Sequence, residues 1–346
     1  MYSFANDYSE GAHERILDAM QRVNREQAEP YGKDAHCERA RALIKARLCC
    51  EDSTVHFFTG GTQTNLTLLA AALRPHEAVI AAGTGHIHTH ETGAIEATGH
   101  KIIALPNVAG KLLAADVEAC FLVHEADANA EHCAKPAMVY ISHPTELGAV
   151  YSRTELRALW EVCQAHGAGL YLDGARLGCA LAAGGDLELA DLARYTSAFT
   201  IGGTKMGALI GEALVINEPA VNADFRYMIK QRGAMLAKGR LLGLQFETLF
   251  EGGLYFELAE HAVSQAQRLA KGILEAGFSM LTDSPTNQVF PVLPKAVIKE
   301  LEDSFHFLVW QPVDERHDAV RLVCSWATPP EQVDAFLEAL TRAVRE

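Results

Sequence analysis

Short runs of apolar and β-branched residues alternate, over the first two thirds of the chain, with longer stretches that repeat apolar residues at helical spacing. Two of the longer stretches predict helices, "TQTNLTLLAAAL" and "TELRALWEVCQAH". The runs that predict strands are "TVHFF", "AVIAA", "KIIAL", "AMVYIS", "GLYLD", "SAFTIG" and "ALVI". This alternation is typical of a mostly parallel sheet covered by helices on both faces. The pattern therefore predicts an α/β lobe.

The pattern changes after about Lys238. A long helical stretch covers 239–277, and strands are predicted near "NQVFPVLP" and "VRLVCSW", with a closing helix from Pro330. We interpret this part as a smaller α+β lobe. The predicted division is an N-terminal arm and large domain over 1–240 and a small domain over 241–346.

Composition narrows the class of protein. The 346 residues are 49% hydrophobic and 21% charged, which is enough apolar content for a sizeable core. The formal net charge of −14 argues against a nucleic-acid surface, which needs clustered Lys and Arg. No basic and apolar leader stands at the start, no stretch is long enough to span a bilayer, and the 8 cysteines form no CxxC pair. We expect a cytoplasmic protein with reduced thiols that acts on a small molecule and not on a membrane.

The segment "FFTGGTQTNLT" is the first candidate for chemistry. A strand runs into Gly60 and Gly61 and then into threonines, beginning with Thr62, that open a helix. Free N–H groups at a helix start bind anions, and glycines allow close backbone approach. The segment lacks the P-loop and GxGxxG spacings. It is either an anion site or an ordinary turn capped by threonine.

Two further segments carry charged groups next to glycines. In "GLYLDGARLGCAL", Asp173 ends a strand and Arg176 follows; the carboxylate either meets a ligand or caps a helix while pairing locally with the arginine. In "GGTKMG", Lys205 follows Thr204 and is either a nucleophilic amine in a confined site or a surface lysine. A phosphate cradle, an acid at a strand end and an amine are together what pyridoxal phosphate requires.

The segment "GHIHTHETG" supports a competing class of enzyme. Alternating histidines can share one face of a strand and bind a metal, so His86, His88 and His90 would suit a zinc hydrolase. The sequence offers no second cluster of matching character, with His143 in "ISHPTEL" the nearest further ligand. We therefore predict no metal site and favour His86 facing a cofactor.

These motifs occur in an order that resembles the low-specificity L-threonine aldolase group of the β-eliminating lyase family, within the fold-type I pyridoxal-phosphate enzymes. The resemblance covers nearly the whole chain through the blocks "FANDYSEGAHERIL", "YGKD", "GGTQTN", "GHIHTHETGAIEATGHKI", "HPTELGAVYS", "LYLDGARLG", "GGTKMG" and "VRLVCSW". It implies a large domain on a mostly parallel seven-stranded sheet and a smaller α+β domain. It also implies a retro-aldol cleavage of L-3-hydroxy-α-amino acids to glycine and an aldehyde.

The resemblance implies a role for each matching residue. Lys205 is similar to the lysine that bonds the cofactor, Asp173 to the acid at its ring nitrogen, and His86 to the histidine stacked on its ring. Gly60, Gly61, Thr62 and Thr204 fall in the phosphate-binding segments, and Asn6, His90, Arg176 and Arg321 fall where the substrate is bound.

The chain departs from the common pattern at a few of these positions. Asn6 replaces a frequent serine, Gly60 replaces another, His90 replaces a tyrosine, and the segment after Lys205 is one residue shorter.

The catalytic base is His86, His143 or a water. Family members are oligomers, which makes Lys238 a candidate contributor to the site of a partner subunit. A β-eliminating lyase or another amino-acid-transforming enzyme with the same cofactor is the alternative.

Overall fold

The computed structural model describes residues 1–343. Its strands are β1 Tyr2–Ser3, β2 Thr54–Phe58, β3 Glu77–Ala82, β4 Lys101–Leu105, β5 Lys135–Ser142, β6 Gly169–Asp173, β7 Ala198–Gly202, β8 Glu212–Ile216, β9 Ser279–Met280, β10 Gln288–Val289, β11 Pro291–Pro294, β12 Phe305–His306, β13 Leu308–Pro312 and β14 His317–Val323. Its helices are α1 Glu14–Val23, α2 Ala35–Leu48, α3 Gly61–Ala72, α4 His86–Thr89, α5 Ala114–Ala126, α6 Arg153–Ala165, α7 Leu177–Ala182, α8 Leu189–Tyr195, α9 Pro219–Asn222, α10 Phe225–Gln231, α11 Arg240–Phe250, α12 Leu254–Glu275, α13 Lys295–Glu302 and α14 Pro330–Ala343.

A seven-stranded sheet, in the order β2-β8-β7-β6-β5-β3-β4, forms the centre of the larger part of the molecule. Only β8 runs antiparallel to its neighbours, so the predicted mostly parallel sheet is confirmed. Successive residues enter opposite cores: Ile80 packs in one hydrophobic cluster and Val79 in the cluster on the other face. Burial on both faces explains why these strands are nearly continuous apolar runs.

The strand directions bring several chain segments to one edge of this sheet. β2, β3, β5, β6 and β7 all end there, while antiparallel β8 begins there with Glu212. The residues that follow these strands include the glycines after β2, Asp173 at the end of β6 and the segment after β7 that holds Lys205. The fold thus gathers motifs that lie far apart in sequence.

A smaller antiparallel sheet, β10-β14-β11-β9 with β13 on β14, lies in the C-terminal part, as the α+β pattern predicts. A separate hydrophobic cluster forms on it from residues of α12, α13 and α14. Phe4 of the N-terminal arm packs in the same cluster, and Tyr2 of β1 pairs with Phe305 of β12. Residues 242–263 contribute instead to the large cluster, and the division at residue 240 stays a prediction.

The predicted long helical stretch over 239–277 is two helices. The chain adopts positive φ angles at Gly252 (71°) and Gly253 (87°), and this left-handed backbone ends α11 and allows α12 to start in a new direction. Among residues 1–343, none of the helices combines the length and the apolar character that crossing a bilayer requires.

The contact between α11 and α2 yields a stability prediction. A Cβ on Gly243 would lie 2.6 Å from the Cα of Cys37, so Gly243→Ala forces the two helices apart. We expect this variant to lower the free energy of unfolding by about 1–3 kcal/mol, the usual effect of overpacking a core. Urea unfolding followed by circular dichroism measures the change.

Gly185→Ala is the matched control, because a Cβ there meets nothing within 4 Å and its φ is not positive. Equal unfolding curves for the two variants would show that the close helix approach does not limit stability.

Candidate active site

A cavity of about 240 Å³ opens at the edge where the strands of the large sheet end. Ligands of α/β sheets bind at this kind of edge. The cavity brings together most of the residues singled out from the sequence, namely Gly60, Gly61, Thr62, His86, Asp173, Arg176, Thr204 and Lys205. Four separate motifs therefore share one site.

The start of α3 forms one wall of the cavity. Gly60 is its N-cap with an extended backbone, and no side chain caps the helix, so the alternative of a threonine-capped turn is wrong. The N–H groups of the first helical turn are then available to an anion. A Cβ on Gly60 or Gly61 would meet nothing within 4 Å, which leaves this end of the cavity open for a ligand.

Asp173 is buried at the end of β6 and held by several donors. Its Oδ2 accepts hydrogen bonds from Tyr140 Oη (2.8 Å) and Asn65 Nδ2 (3.0 Å), and its Oδ1 accepts one from the Ala175 N–H (2.9 Å). Arg176, not Asp173, stands at the N-cap of α7. The helix-cap alternative is therefore wrong, and the carboxylate faces the cavity in a fixed orientation.

Lys205 lines the cavity and is not a surface lysine. Burial lowers the pKa of its ammonium, and the positive charge of Arg176 lowers it further, against the opposing effect of Asp7. Its Nζ lies 6.0 Å from the centre of the Tyr8 ring. A lowered pKa increases the fraction of unprotonated amine, which is the nucleophilic form.

His86 belongs to a hydrogen-bonded chain that ends at Asp173. Its Nδ1 lies 2.7 Å from Glu91 Oε1, and Asn65 Nδ2 donates to the same oxygen over 2.7 Å. Because a carboxylate accepts, Nδ1 carries the hydrogen and Nε2 is left for the cavity. Burial opposes the charged imidazole, but the Glu91 hydrogen bond and the Asp173 charge outweigh it and raise the pKa of His86.

Arg176 makes a bidentate ion pair with Asp7 of the N-terminal arm. Its Nε and Nη2 donate to the two carboxylate oxygens over 2.6 and 3.0 Å. Asn287 Nδ2 donates to Asp7 over 2.9 Å. The alternative of a local pair between Arg176 and Asp173 is wrong, because the arginine pairs with Asp7. Both N–H groups of Nη1 and the second N–H of Nη2 are left for a ligand.

Four predicted site residues lie outside the cavity lining: Asn6, His90, His143 and Arg321. Asn6 accepts hydrogen bonds from the Tyr8 N–H and the Ser9 hydroxyl (both 2.9 Å) and so holds a turn of the arm. Arg321 donates from Nη2 to the Ala5 carbonyl, while its buried Nε has no partner in the described part of the chain.

His143 is 1% exposed, and its Nδ1 accepts the N–H of Tyr151 over 3.2 Å. Burial lowers the pKa of His143 to about 4, so the imidazole is neutral. The structure thus does not bring His143 to the cavity as the sequence predicted, because the side chain turns toward the segment after the strand.

His86 and His88 lie on α4 and His90 is its C-cap, so the strand face that the zinc alternative requires does not form there. Residues four apart share a helix face, so the rings of His86 and His90 stack at 5.7 Å while His88 lies elsewhere on the helix. Within residues 1–343, no group of three or more His, Cys, Asp or Glu side chains is arranged to hold a metal ion.

Two acidic residues of the cavity were missed by the sequence reasoning. Glu146 follows β5; its Oε1 accepts the His86 N–H (2.8 Å) and the Ser142 hydroxyl (2.6 Å), and burial raises its pKa. Glu212 begins β8, where it stands directly before an apolar run. Both lie at strand ends on the cavity edge, which is the one signal that could have found them.

Comparison with known proteins identifies relatives of the chain. Residues 4–322 match the model of the family described as beta-eliminating lyase. The chain is 30% identical over 338 residues to a low specificity L-threonine aldolase of Pseudomonas aeruginosa, covering 95% of this chain and 94% of the relative. It is 26% identical to the Escherichia coli K12 protein of the same name, covering 76% and 78%.

Solved structures give the same result. A Leishmania major threonine aldolase superposes with a TM-score of 0.96 at 47% identity, covering 99% of this chain and all (100%) of that one. Aspartate aminotransferase from Thermus thermophilus, at 16% identity and a TM-score of 0.70, shares the fold over 99% and 91% of the two chains. The predicted fold-type I architecture is confirmed, and the chain belongs to the beta-eliminating lyase family.

Proposed function

We propose that this protein is a pyridoxal-phosphate-dependent aldolase. It cleaves L-3-hydroxy-α-amino acids, such as threonine, allo-threonine and phenylserine, to glycine and an aldehyde. The observation that carries the proposal is the convergence of the open start of α3, Asp173 and Lys205 on one cavity. The names of the relatives, low specificity L-threonine aldolase and threonine aldolase, support the choice of reaction.

The residues of the cavity fit pyridoxal phosphate. The uncapped start of α3, with room beside Gly60 and Gly61, suits a phosphate group. Asp173 offers a fixed acceptor for a protonated ring nitrogen, and Lys205 offers an amine whose pKa burial lowers. When bound, this cofactor supplies an aldehyde for covalent attachment and a ring that withdraws electrons from the substrate α-carbon.

Two arginines are available for the substrate carboxylate. Arg321 carries a buried Nε without a partner among the described residues, and the charge of Arg176 acts on it. Arg176 keeps Nη1 beyond its ion pair with Asp7. We assign the carboxylate chiefly to Arg321, with Arg176 fixed by Asp7 beside it; a clamped carboxylate selects which bond to the α-carbon breaks.

His86 is the residue placed to accept the proton of the β-hydroxyl group. Glu91 holds the hydrogen on Nδ1, so Nε2 is the acceptor that faces the cavity. A water hydrogen-bonded to this nitrogen serves equally well as the immediate acceptor. His143 is enclosed by protein, and we propose no contact between it and substrate.

A partner subunit is part of the proposal. Lys238 is exposed and does not line the cavity of its own chain, and we propose that it contributes to the site of a second copy. Light scattering after gel filtration measures the oligomeric state. The cytoplasmic location stays a prediction.

Replacing Lys205 tests whether its amine bonds the cofactor. Lys205→Ala removes the amine, so we expect loss of the visible absorbance of bound cofactor and of nearly all turnover. Borohydride reduction of the wild-type protein followed by peptide mapping is expected to find the pyridoxyl group on Lys205. Lys299→Ala, at an exposed position of α13, is the control, and we expect it to keep both the absorbance and the turnover. A pyridoxyl group found on Lys230 or Lys238 of the wild-type protein would contradict the assignment.

The second prediction concerns Asp173. Asp173→Asn keeps the side-chain shape but removes the charge that stabilises a protonated ring, so we expect cofactor to remain and kcat to fall by about 100-fold. Steady-state kinetics on the cofactor-saturated variant measures the loss. Asp18→Asn, at an exposed position of α1, should behave as wild type. An Asp173→Asn variant with full activity would remove this carboxylate from the mechanism.

The third prediction distinguishes the aldolase from its alternatives. Pure enzyme incubated with threonine, allo-threonine or phenylserine is expected to yield glycine and an aldehyde in equal amounts. We expect weak discrimination between the two epimers, because His86 or a water bound to it can accept the β-hydroxyl proton from either configuration. Keto acid and ammonia without glycine would instead identify an eliminating lyase, and activity lost to a chelator would favour the zinc hydrolase.

A further inference from the structure

Glu212 lies at the base of the cavity and has no part in the function proposed so far. As the first residue of β8 it pairs with Phe58 of β2 on one side and with Gly202 of β7 on the other. The chain continues from Phe58 into the glycine loop, and from Gly202 into Thr204 and Lys205. The sheet register therefore places Glu212 between the anion cradle and the cavity lysine.

The carboxyl group of Glu212 is enclosed but incompletely hydrogen-bonded. The residue is 5% exposed and lines the cavity together with Thr59, Gly60 and Thr204. Its Oε2 is buried and has no hydrogen-bond partner in the described part of the protein. Buried polar atoms are nearly always satisfied, so an unpaired oxygen at a cavity wall indicates that its partner arrives with the ligand.

The surroundings of Glu212 favour the protonated carboxyl group. Burial raises the pKa of Glu212 well above its ordinary value; the charge of Lys205 opposes this effect, and Asp173 adds to it. Tyr171 and Tyr255 are the other titratable groups close enough to interact with it, and burial raises the pKa of both, which keeps them neutral. A protonated carboxyl group has one O–H donor, whereas an ionised one only accepts.

Building on the proposed cofactor, we infer that Glu212 is a phosphate-binding residue that acts as a neutral acid and donates its O–H to a phosphate oxygen held at the start of α3. An ionised carboxylate there would repel a phosphate dianion, whereas the neutral acid attracts it. A carboxylic acid kept neutral by its site so that it can donate a hydrogen bond is an established device in enzymes. This role explains both the unpaired Oε2 and the position of Glu212 between the two loops.

The test uses apoprotein and pyridoxine 5′-phosphate, which has an alcohol in place of the aldehyde and cannot bond Lys205. Calorimetry gives the Kd from about pH 6.5 to about pH 9.5, above the second ionisation of the phosphate, whose pKa is about 6. Wild type is compared with Glu212→Gln, which keeps a donor but cannot ionise. Glu218→Gln, at an exposed position after the same strand, is the control.

The direction of the pH dependence follows from the raised pKa of Glu212. At a pH below this pKa the carboxyl group is protonated and donates a hydrogen bond. At a pH above it the donor is lost and a negative charge remains. We expect the wild-type Kd to equal that of Glu212→Gln at the low end and to become about tenfold larger at about pH 9, one pH unit above a pKa of about 8. Loss of the Lys205 charge at high pH weakens binding of the probe to both proteins, so the ratio of the two Kd values reports the contribution of Glu212.

A ratio that stays constant with pH, or weaker binding by Glu212→Gln at every pH, would overturn the inference. Infrared spectroscopy provides a second measurement: pyridoxine 5′-phosphate should strengthen a protonated-carboxyl C=O band in wild type and not in Glu212→Gln. Should Glu212→Gln fail to fold by circular dichroism, the wild-type band decides, and no change in it contradicts the inference. Failure of wild type to bind the probe at any pH would refute the cofactor itself.

Discussion

The close backbone contact between the turn after β6 and the end of β7 is the constraint on which the site depends. The Gly202 N–H donates to the Gly174 carbonyl over 2.9 Å, and the Gly174 N–H donates to Thr200 Oγ1 over 2.7 Å. A Cβ on Gly174 would overlap the Thr200 carbonyl oxygen, and one on Gly202 would overlap Ala175. Asp173 and Lys205 flank this contact, so the distance between their backbones is fixed.

The electrostatics of the cavity follow from its position at the sheet edge. Asp173, Glu146 and Glu212 all line it, against the cations Lys205 and Arg176. Because these groups are shielded from water, each depends on its neighbours for charge compensation: Asp7 pairs with Arg176, and Asn65 links Asp173 to the Glu91–His86 pair. Ligand charge is thus recognised by a set of mutually dependent groups, not by one ion pair.

The sequence predicted the large sheet well, because strands buried on both faces must be almost wholly apolar and glycines mark the turns that follow them. It also indicated that the glycine segment, Asp173 and Lys205 come together, since each lies at or shortly after the end of such a strand. It could not predict contacts set by distant segments. The pairing of Arg176 with Asp7 spans 169 residues, and the inward turn of His143 depends on Tyr151. Nor could the sequence indicate α4, because four residues are too few to show a helical period.

The N-terminal arm pairs with segments that are synthesised some three hundred residues later. Tyr2 pairs with Phe305, the Phe4 N–H donates to the His306 carbonyl, and Asp7 accepts a hydrogen bond from Asn287. On the ribosome, the arm must therefore wait until the segments around Asn287 and Phe305 have been made before it finds its partners. The large sheet can form earlier, but Arg176 gains its carboxylate partner only when the arm docks. Assembly of the part of the cavity that contains Arg176 is consequently a late step, governed by loop closure over some three hundred residues and not by the folding of the lobe that carries the lysine.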